Sequence, residues 1–180
     1  MSDAVRSLVD QLAYKVPEPN RFHRAVWKLA STRPGAWLFA RTAPHLDRLT
    51  LRLTHGRVAL PELLAGIPVC TLVTTGARTG RRRSVPLLGV PFDGDLAVIG
   101  TRFGQKDTPA WYFNLRANCH ATVEYRGTSV AVVASELDGL ARDAAWDAGR
   151  RIYAGYEAYA RRITGRQIRI MVLRPEPASA

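Results

Sequence analysis

Four arginines, Arg78, Arg81, Arg82 and Arg83, follow the β-branched run Val73-Thr74-Thr75 and crowd around Gly76 and Gly80 with no carboxylate among them. Guanidinium groups this close repel one another, and the repulsion is relieved by solvent, by distant carboxylates or by a ligand carrying phosphate or carboxylate. The two glycines let the chain turn tightly and bring bare backbone near such a ligand. It is not a Walker loop, because Gly80 is followed by Arg81 and Arg82 and not by the Lys-Ser/Thr that grips a nucleoside triphosphate. A surface hairpin that is simply basic accounts for these residues equally well. Further on, Thr101-Arg102-Phe103-Gly104 forms a second basic, glycine-ended stretch, and Tyr153, Tyr156 and Tyr159 place three phenols within seven residues. Positions 152, 156 and 159 share one helical stripe, which suits either core packing or a pocket wall broken by Gly155.

Other chemistries are poorly served. Ser84 follows three arginines and no Gly-x-Ser-x-Gly elbow presents a nucleophile. His23, His45, His55 and His120 are scattered, and Cys119 and His120 point to opposite faces of a strand, so they do not make a metal site. Asp93 and Asp95 serve a hairpin, while Asp138, Asp143 and Asp147 belong to a helix. What is left is a binding constellation without a nucleophile, which suits a bound redox cofactor that supplies the reactive atoms itself.

The elements that must position these residues change character near Pro61. Before it, Val5, Leu8, Val9 and Leu12 recur at helical spacing behind Ser2, and further helical pieces are expected after Asn20 and over Ala36–Phe39 and Leu46–Leu53. After it the period is that of strands: Ile67–Thr75, Ser84–Phe92, Asp95–Gly100, His120–Arg126, Thr128–Glu136 and Gln167–Arg174. Asp93-Gly94 signals a two-residue hairpin, and Pro86 and Pro91 place the second strand at an edge or on a bulge. A short helix is expected over Pro109–Asn118, with Trp111 and Leu115 inward, and a long one from Asp138 towards Ile163. Short connections make the sheet mainly antiparallel, and about six strands with inserted helices give an α+β chain built on a small barrel. Residues 1–60 form an N-terminal helical extension and 61–180 the barrel domain.

The chain has 180 residues, enough for one well-buried core, and its 47% hydrophobic and 23% charged content is that of an ordinary globular protein. Its 26 basic against 15 acidic side chains give a net charge of +11, and Lys15, Lys28 and Lys106 are the sole lysines. Anionic partners follow: a polyanionic cofactor, nucleic acid or an acidic membrane surface. Cys70 and Cys119 read as reduced thiols of a cytoplasmic protein, no stretch has the length of a membrane span, and the acidic start Met1-Ser2-Asp3 does not resemble a secretory signal.

Taken together, the residues resemble the deazaflavin-dependent nitroreductase family of actinobacterial oxidoreductases, split β-barrels that use coenzyme F420. The resemblance rests on Thr74-Thr75-Gly76-Ala77-Arg78-Thr79-Gly80 with Arg83 and Pro86, on Thr101-Arg102, on Pro109-Ala110-Trp111-Tyr112-Phe113-Asn114-Leu115 with Ala117-Asn118, and on the tyrosine segment. It covers roughly residues 61–175 in the right order. It implies that Arg78, Thr79 and Arg83, around Gly80, hold the phosphate and oligoglutamate end of the deazaflavin. Pro86, Leu87 and Leu88, with Gly100, Thr101 and Arg102, would line its ring and linker, and Ala110, Trp111 and Asn114 would close the pocket. Two departures stand out: Thr101 replaces the family's usual serine, and Phe103 replaces a glycine.

The expected activity is hydride transfer from reduced F420 to a quinone, enone or nitro acceptor, a quinone reductase or nitroreductase chemistry with Tyr153, Tyr156 and Tyr159 on the acceptor side. A split-barrel redox protein using FMN is the nearest alternative. A non-enzymatic binder of anionic membrane or nucleic acid is the alternative of a different class, and nucleic acid fits less well because no recognition motif accompanies the charge. Peripheral contact with the inner face of the membrane through residues 20–57 is compatible with the enzyme reading, as are a monomer and a homodimer.

Overall fold

The computed structural model describes residues 6–17, 32, 34 and 67–177. Apart from residues 32 and 34, the helical pieces expected between residues 21 and 53, and the segment 20–57 proposed to touch lipid, lie outside the described residues.

Six strands close into an antiparallel barrel: β1 (Val69–Thr75), β2 (Arg82–Phe92), β3 (Asp95–Ile99), β4 (His120–Tyr125), β5 (Thr128–Glu136) and β6 (Ile170–Pro175), in the order β1-β2-β3-β6-β5-β4 with β4 returning to β1. Two tight hairpins set the register. Asp93 and Gly94 have φ of 52° and 79°, and Arg126 and Gly127 have φ of 47° and 88°. Two left-handed residues in succession match the right-handed twist of the strands they join.

The two faces of the barrel wall are buried for different reasons. Leu72, Leu96, Val98, Val123, Val132, Met171 and Leu173 fill one cluster; the alternate residues Val90, Ala97, Ile99 and Ile170 pack into another, under helices. Each fully buried aliphatic side chain contributes roughly 1.5–3 kcal/mol. This double burial explains why 96–99 and 170–173 read as unbroken apolar runs instead of alternating ones.

β2 divides its pairing. Residues 82–88 pair with β1 and residues 89–92 with β3, so each half has one free edge among the described residues. Pro86 and Pro91 fall in separate halves, where a missing N–H need not break a ladder on both sides. The expectation of an edge strand therefore holds for each half, within a closed ring.

Residues 6–17 are built into the barrel. Ser7 caps the short helix α1 (Leu8–Gln11) by accepting a hydrogen bond from the Asp10 amide at 3.2 Å, and Leu8, Leu12 and Tyr14 join the barrel cluster. The short helix expected over Pro109–Asn118 is present as α2 (Ala110–Ala117), with Pro109 and Asn118 as its non-helical caps. The long helix expected from Asp138 to Ile163 is instead two helices, α3 (Gly139–Ile152) and α4 (Gly155–Ala160). Tyr153 between them takes an extended conformation, φ −139° and ψ 98°, and its ring occupies the space where a side chain at Gly155 would stand. Asp138 holds the N-cap position of α3 but its side chain makes no capping bond.

Candidate functional site

A cavity of about 1060 Å³ opens along the free edge of β2. Arg83, Ser84, Val85, Pro86, Leu87 and Leu88 line it in succession. A strand seen face-on offers every second residue, so consecutive lining residues mean that the cavity meets β2 edge-on, where alternate N–H and C=O groups are available to a ligand. Its basic lining comes from Arg78 and Arg83, flanking the β1–β2 turn, and from Arg102 on the loop after β3, beside the Phe103 whose ring meets Tyr159; Ile99, Tyr153, Tyr156 and Tyr159 complete the wall.

The loop from Gly76 to Arg81 is preformed. The Gly76 amide donates to the Arg81 carbonyl at 2.8 Å, and the amides of Thr79 and Gly80 donate to the Gly76 carbonyl at 3.1 and 2.8 Å. A Cβ on Gly76 would stand 2.9 Å from the Thr79 hydroxyl and 3.2 Å from the Arg81 carbonyl, so only glycine fits. Asn114 ties this loop to α2: its side-chain carbonyl accepts from the Ala77 amide at 3.0 Å and its amide donates to the Thr74 hydroxyl at 2.9 Å. Asn114 thus positions the arginine loop as well as lining the cavity. On the opposite side of α2, Tyr112 and Arg116 donate to Glu136 on β5 at 3.0 and 3.1 Å, and Arg169 donates to the same carboxylate at 3.1 Å. With that face anchored, Trp111 and Asn114 are turned to the cavity.

The three tyrosines are buried and converge. The hydroxyls of Tyr153 and Tyr159 lie 2.9 Å apart, and the rings of Tyr153 and Tyr156 meet edge to face at 5.5 Å. Gly149 on α3 leaves room for Tyr156, since a Cβ there would come within 3.2 Å of its ring. Burial pushes all three phenols above their ordinary value, Tyr153 and Tyr156 well above it because neighbouring tyrosines add to the effect. These groups keep their protons and act as hydrogen-bond donors. The Tyr156 hydroxyl has no hydrogen-bond partner among the described residues.

Of the residues singled out in the sequence, Arg78, Thr79, Arg83, Pro86, Leu87, Leu88, Thr101, Arg102, Ala110, Trp111, Asn114, Tyr153, Tyr156 and Tyr159 all line this one cavity. Gly80 and Gly100 do not. Gly80 supplies a left-handed turn with φ of 64°, and Gly100 permits close approach, a Cβ there meeting the Arg169 carbonyl at 3.0 Å. Ile67, Val69, Ser84, Val85, Ile99 and Phe113 also line it and were not anticipated. Arg166 was missed altogether: it donates to the carbonyls of Gly100, Thr101 and Gln105 at 3.1, 3.3 and 3.1 Å and so straps the loop that carries Arg102.

A cavity with arginines in its lining and apolar walls along a strand edge suits a ligand with a polyanionic tail and a flat neutral ring. A family model for F420H(2)-dependent quinone reductase matches residues 48–175. The chain belongs to that family. It is an F420-dependent oxidoreductase of small-molecule acceptors, and the family match covers both sides of the cavity. The protein is similar to a solved F420-H2 dependent reductase (FDR-A), with 32% identity over 59% of this chain and 93% of that chain and a TM-score of 0.54. It is also similar to a solved structure described as a domain-swapped dimer, with 29% identity over 78% of this chain and 98% of that chain and a TM-score of 0.56. Among the described residues no helix is long and apolar enough to cross a membrane.

Proposed function

We propose that the cavity holds F420 with its phosphate and oligoglutamate end at Arg78, Thr79 and Arg83 and its ring along Pro86–Leu88, and that a quinone is reduced on the tyrosine side. The observation that carries this reading is that a single cavity is lined by Arg78, Arg83 and Arg102, by the consecutive β2 residues Arg83–Leu88 and by three buried phenols. Reduced deazaflavin bound there supplies a hydride; the quinone takes it together with a proton from water and leaves as a hydroquinone.

The chain's own residues bind and orient. Arg78 and Arg83 offer planar, permanently charged donors to phosphate and carboxylate oxygens. Thr101, Arg102, Ala110 and Trp111 line the same cavity and would shield the ring from water. As negative charge develops on the quinone oxygen, the Tyr156 hydroxyl, on a ring that lines the cavity, donates to it. Its raised pKa favours a held hydrogen bond over loss of the proton, which is why water is assigned as the proton source. The division at residue 61 belongs to the same proposal: the barrel holds the cofactor, and residues 6–17 brace it from one side. The positive charge supports peripheral contact of residues 20–57 with an anionic membrane, for which sedimentation with acidic but not neutral vesicles is the expected result.

Parallel fluorescence titration with F420 and FMN, followed by anaerobic oxidation of reduced F420 with p-benzoquinone, tests the reading. Saturable F420 binding at least about tenfold tighter than FMN, with quinone-dependent oxidation, is expected. Tighter FMN binding, or no oxidation by any quinone, overturns it.

A further inference from the structure

The loop after β3 holds a backbone conformation that its residues do not favour. Arg102 and Phe103 have φ of 46° and 56°, and Gly104 continues with 82°. A left-handed conformation costs a glycine little and a bulky residue much more, and it persists only where the surroundings fix it. They do so here. Arg166 clamps three carbonyls at the base of the loop, and Arg102 pairs with Asp107 at 3.3 Å. Gly104 lies so close to α4 that a Cβ would stand 3.3 Å from the Tyr159 backbone. The outcome is a phenylalanine held out over the cavity: Phe103 lines it, is 41% exposed, and meets the Tyr159 ring edge-on at 6.0 Å.

We propose that Phe103 is a specificity-determining residue, an aromatic bar beside the tyrosines of the cavity that admits flat, narrow acceptors and hinders broad ones. The inference rests on the reading that the acceptor enters beside the tyrosines. An exposed ring that served packing alone would not need three successive left-handed residues to hold it at the mouth. Because the loop is strapped to the barrel and to α4, its backbone holds the base of the ring in one place, and acceptor width is sensed against it. Phe103 offers no charge to the cofactor's anionic end, so F420 affinity is expected to rest on Arg78 and Arg83 and not on this ring.

The test compares the wild type with Phe103→Gly and Phe103→Leu, using p-benzoquinone as the narrow acceptor and a phenyl-substituted naphthoquinone as the broad one. Glycine accepts the left-handed φ, so Phe103→Gly should fold with a thermal midpoint at or above that of the wild type. Its kcat/KM for the broad acceptor relative to the narrow one should rise about fivefold or more, through KM, while F420 affinity by fluorescence stays unchanged. Phe103→Leu keeps most of the bulk and should retain wild-type selectivity. An unchanged selectivity ratio in Phe103→Gly, whatever its thermal midpoint, overturns the inference while leaving the quinone reading intact. A wild type that binds F420 but reduces neither quinone overturns that reading and this inference with it.

Discussion

The hydroxyl of Tyr14 lies 2.9 Å from the carbonyl oxygen of Gly89, at the residue where β2 stops pairing with β1 and starts pairing with β3. It also lies 2.6 Å from the carbonyl of Pro68, just before β1. The two carbonyls share the single proton of one buried phenol at the junction that creates the free edge of β2, so a residue outside the cavity lining helps to set the shape of its wall. Tyr14→Phe leaves both carbonyls short of a donor and should cost roughly 1–3 kcal/mol in denaturant unfolding. Gly89→Ala should act through the same contact, because a Cβ there would stand 2.7 Å from the Tyr14 hydroxyl. Unfolding midpoints equal to the wild type in both variants would show that the junction holds without Tyr14.

Alkaline pH should weaken the fold through its buried phenols. Burial raises the pKa of Tyr14, Tyr153, Tyr156 and Tyr159 above the ordinary value of about 10. Below that value both folded and unfolded chains keep these protons, and the stabilisation is fully present. Above it the unfolded chain loses them first, so the native state binds more protons and stability falls as pH rises. Urea unfolding at about pH 8 and about pH 10.5 should show this fall, and Tyr153→Phe should make it shallower. An equal pH slope in the variant would mean that Tyr153 titrates normally.

Cofactor affinity should depend on two arginines. Arg83→Ala, and less severely Arg78→Ala, should weaken F420 binding by about 1.5–3 kcal/mol while the unfolding midpoint stays near the wild type, since neither arginine makes an ion pair among the described residues. The loss should shrink as salt is added, because screening already reduces the contact in the wild type. Asn114→Leu should weaken binding by a different route, releasing the Ala77 amide and loosening the loop. If both arginine variants bind F420 as the wild type does at low salt, the polyanionic end lies elsewhere.

Much of this arrangement was legible because its causes are local. Asp93-Gly94 and Gly127 demand left-handed turns wherever they occur, and Pro86 and Pro91 announce a strand with a free edge. The arginines and tyrosines stood out by type and spacing. Gly80 and Gly100 read as cofactor residues in sequence, yet the cavity does not touch them and both serve the backbone, since a glycine required by a turn looks the same in sequence as one required by a ligand. Arg166 had no local signal: its partners lie 61 to 66 residues away, and only the tertiary fold brings them together. The break between α3 and α4 had a faint one in Gly155, whose missing side chain makes room for the Tyr153 ring. Helical periodicity continues across that break, which is why pattern alone predicts a single helix.

The last prediction separates the two tyrosine roles. Tyr153 and Tyr159 share a hydrogen bond at 2.9 Å, so either hydroxyl already has work within the wall; Tyr156, whose hydroxyl lacks a partner among the described residues, is the one available to an acceptor. Substitution by Phe removes only the hydroxyl and keeps the ring that packs against Trp146 and Tyr153. Tyr156→Phe should therefore lower kcat with p-benzoquinone about tenfold or more, leaving F420 affinity and thermal midpoint unchanged, because the lost contact forms only as charge develops on the acceptor. Tyr153→Phe should lower kcat less and lower stability more, since it removes a bond that exists before the acceptor arrives. A donated hydrogen bond from a phenol that keeps its proton also predicts no loss of rate from tyrosine ionisation below about pH 10. Wild-type kcat in Tyr156→Phe at saturating reduced F420 would reduce the tyrosine wall to packing and leave the acceptor oxygen to water alone.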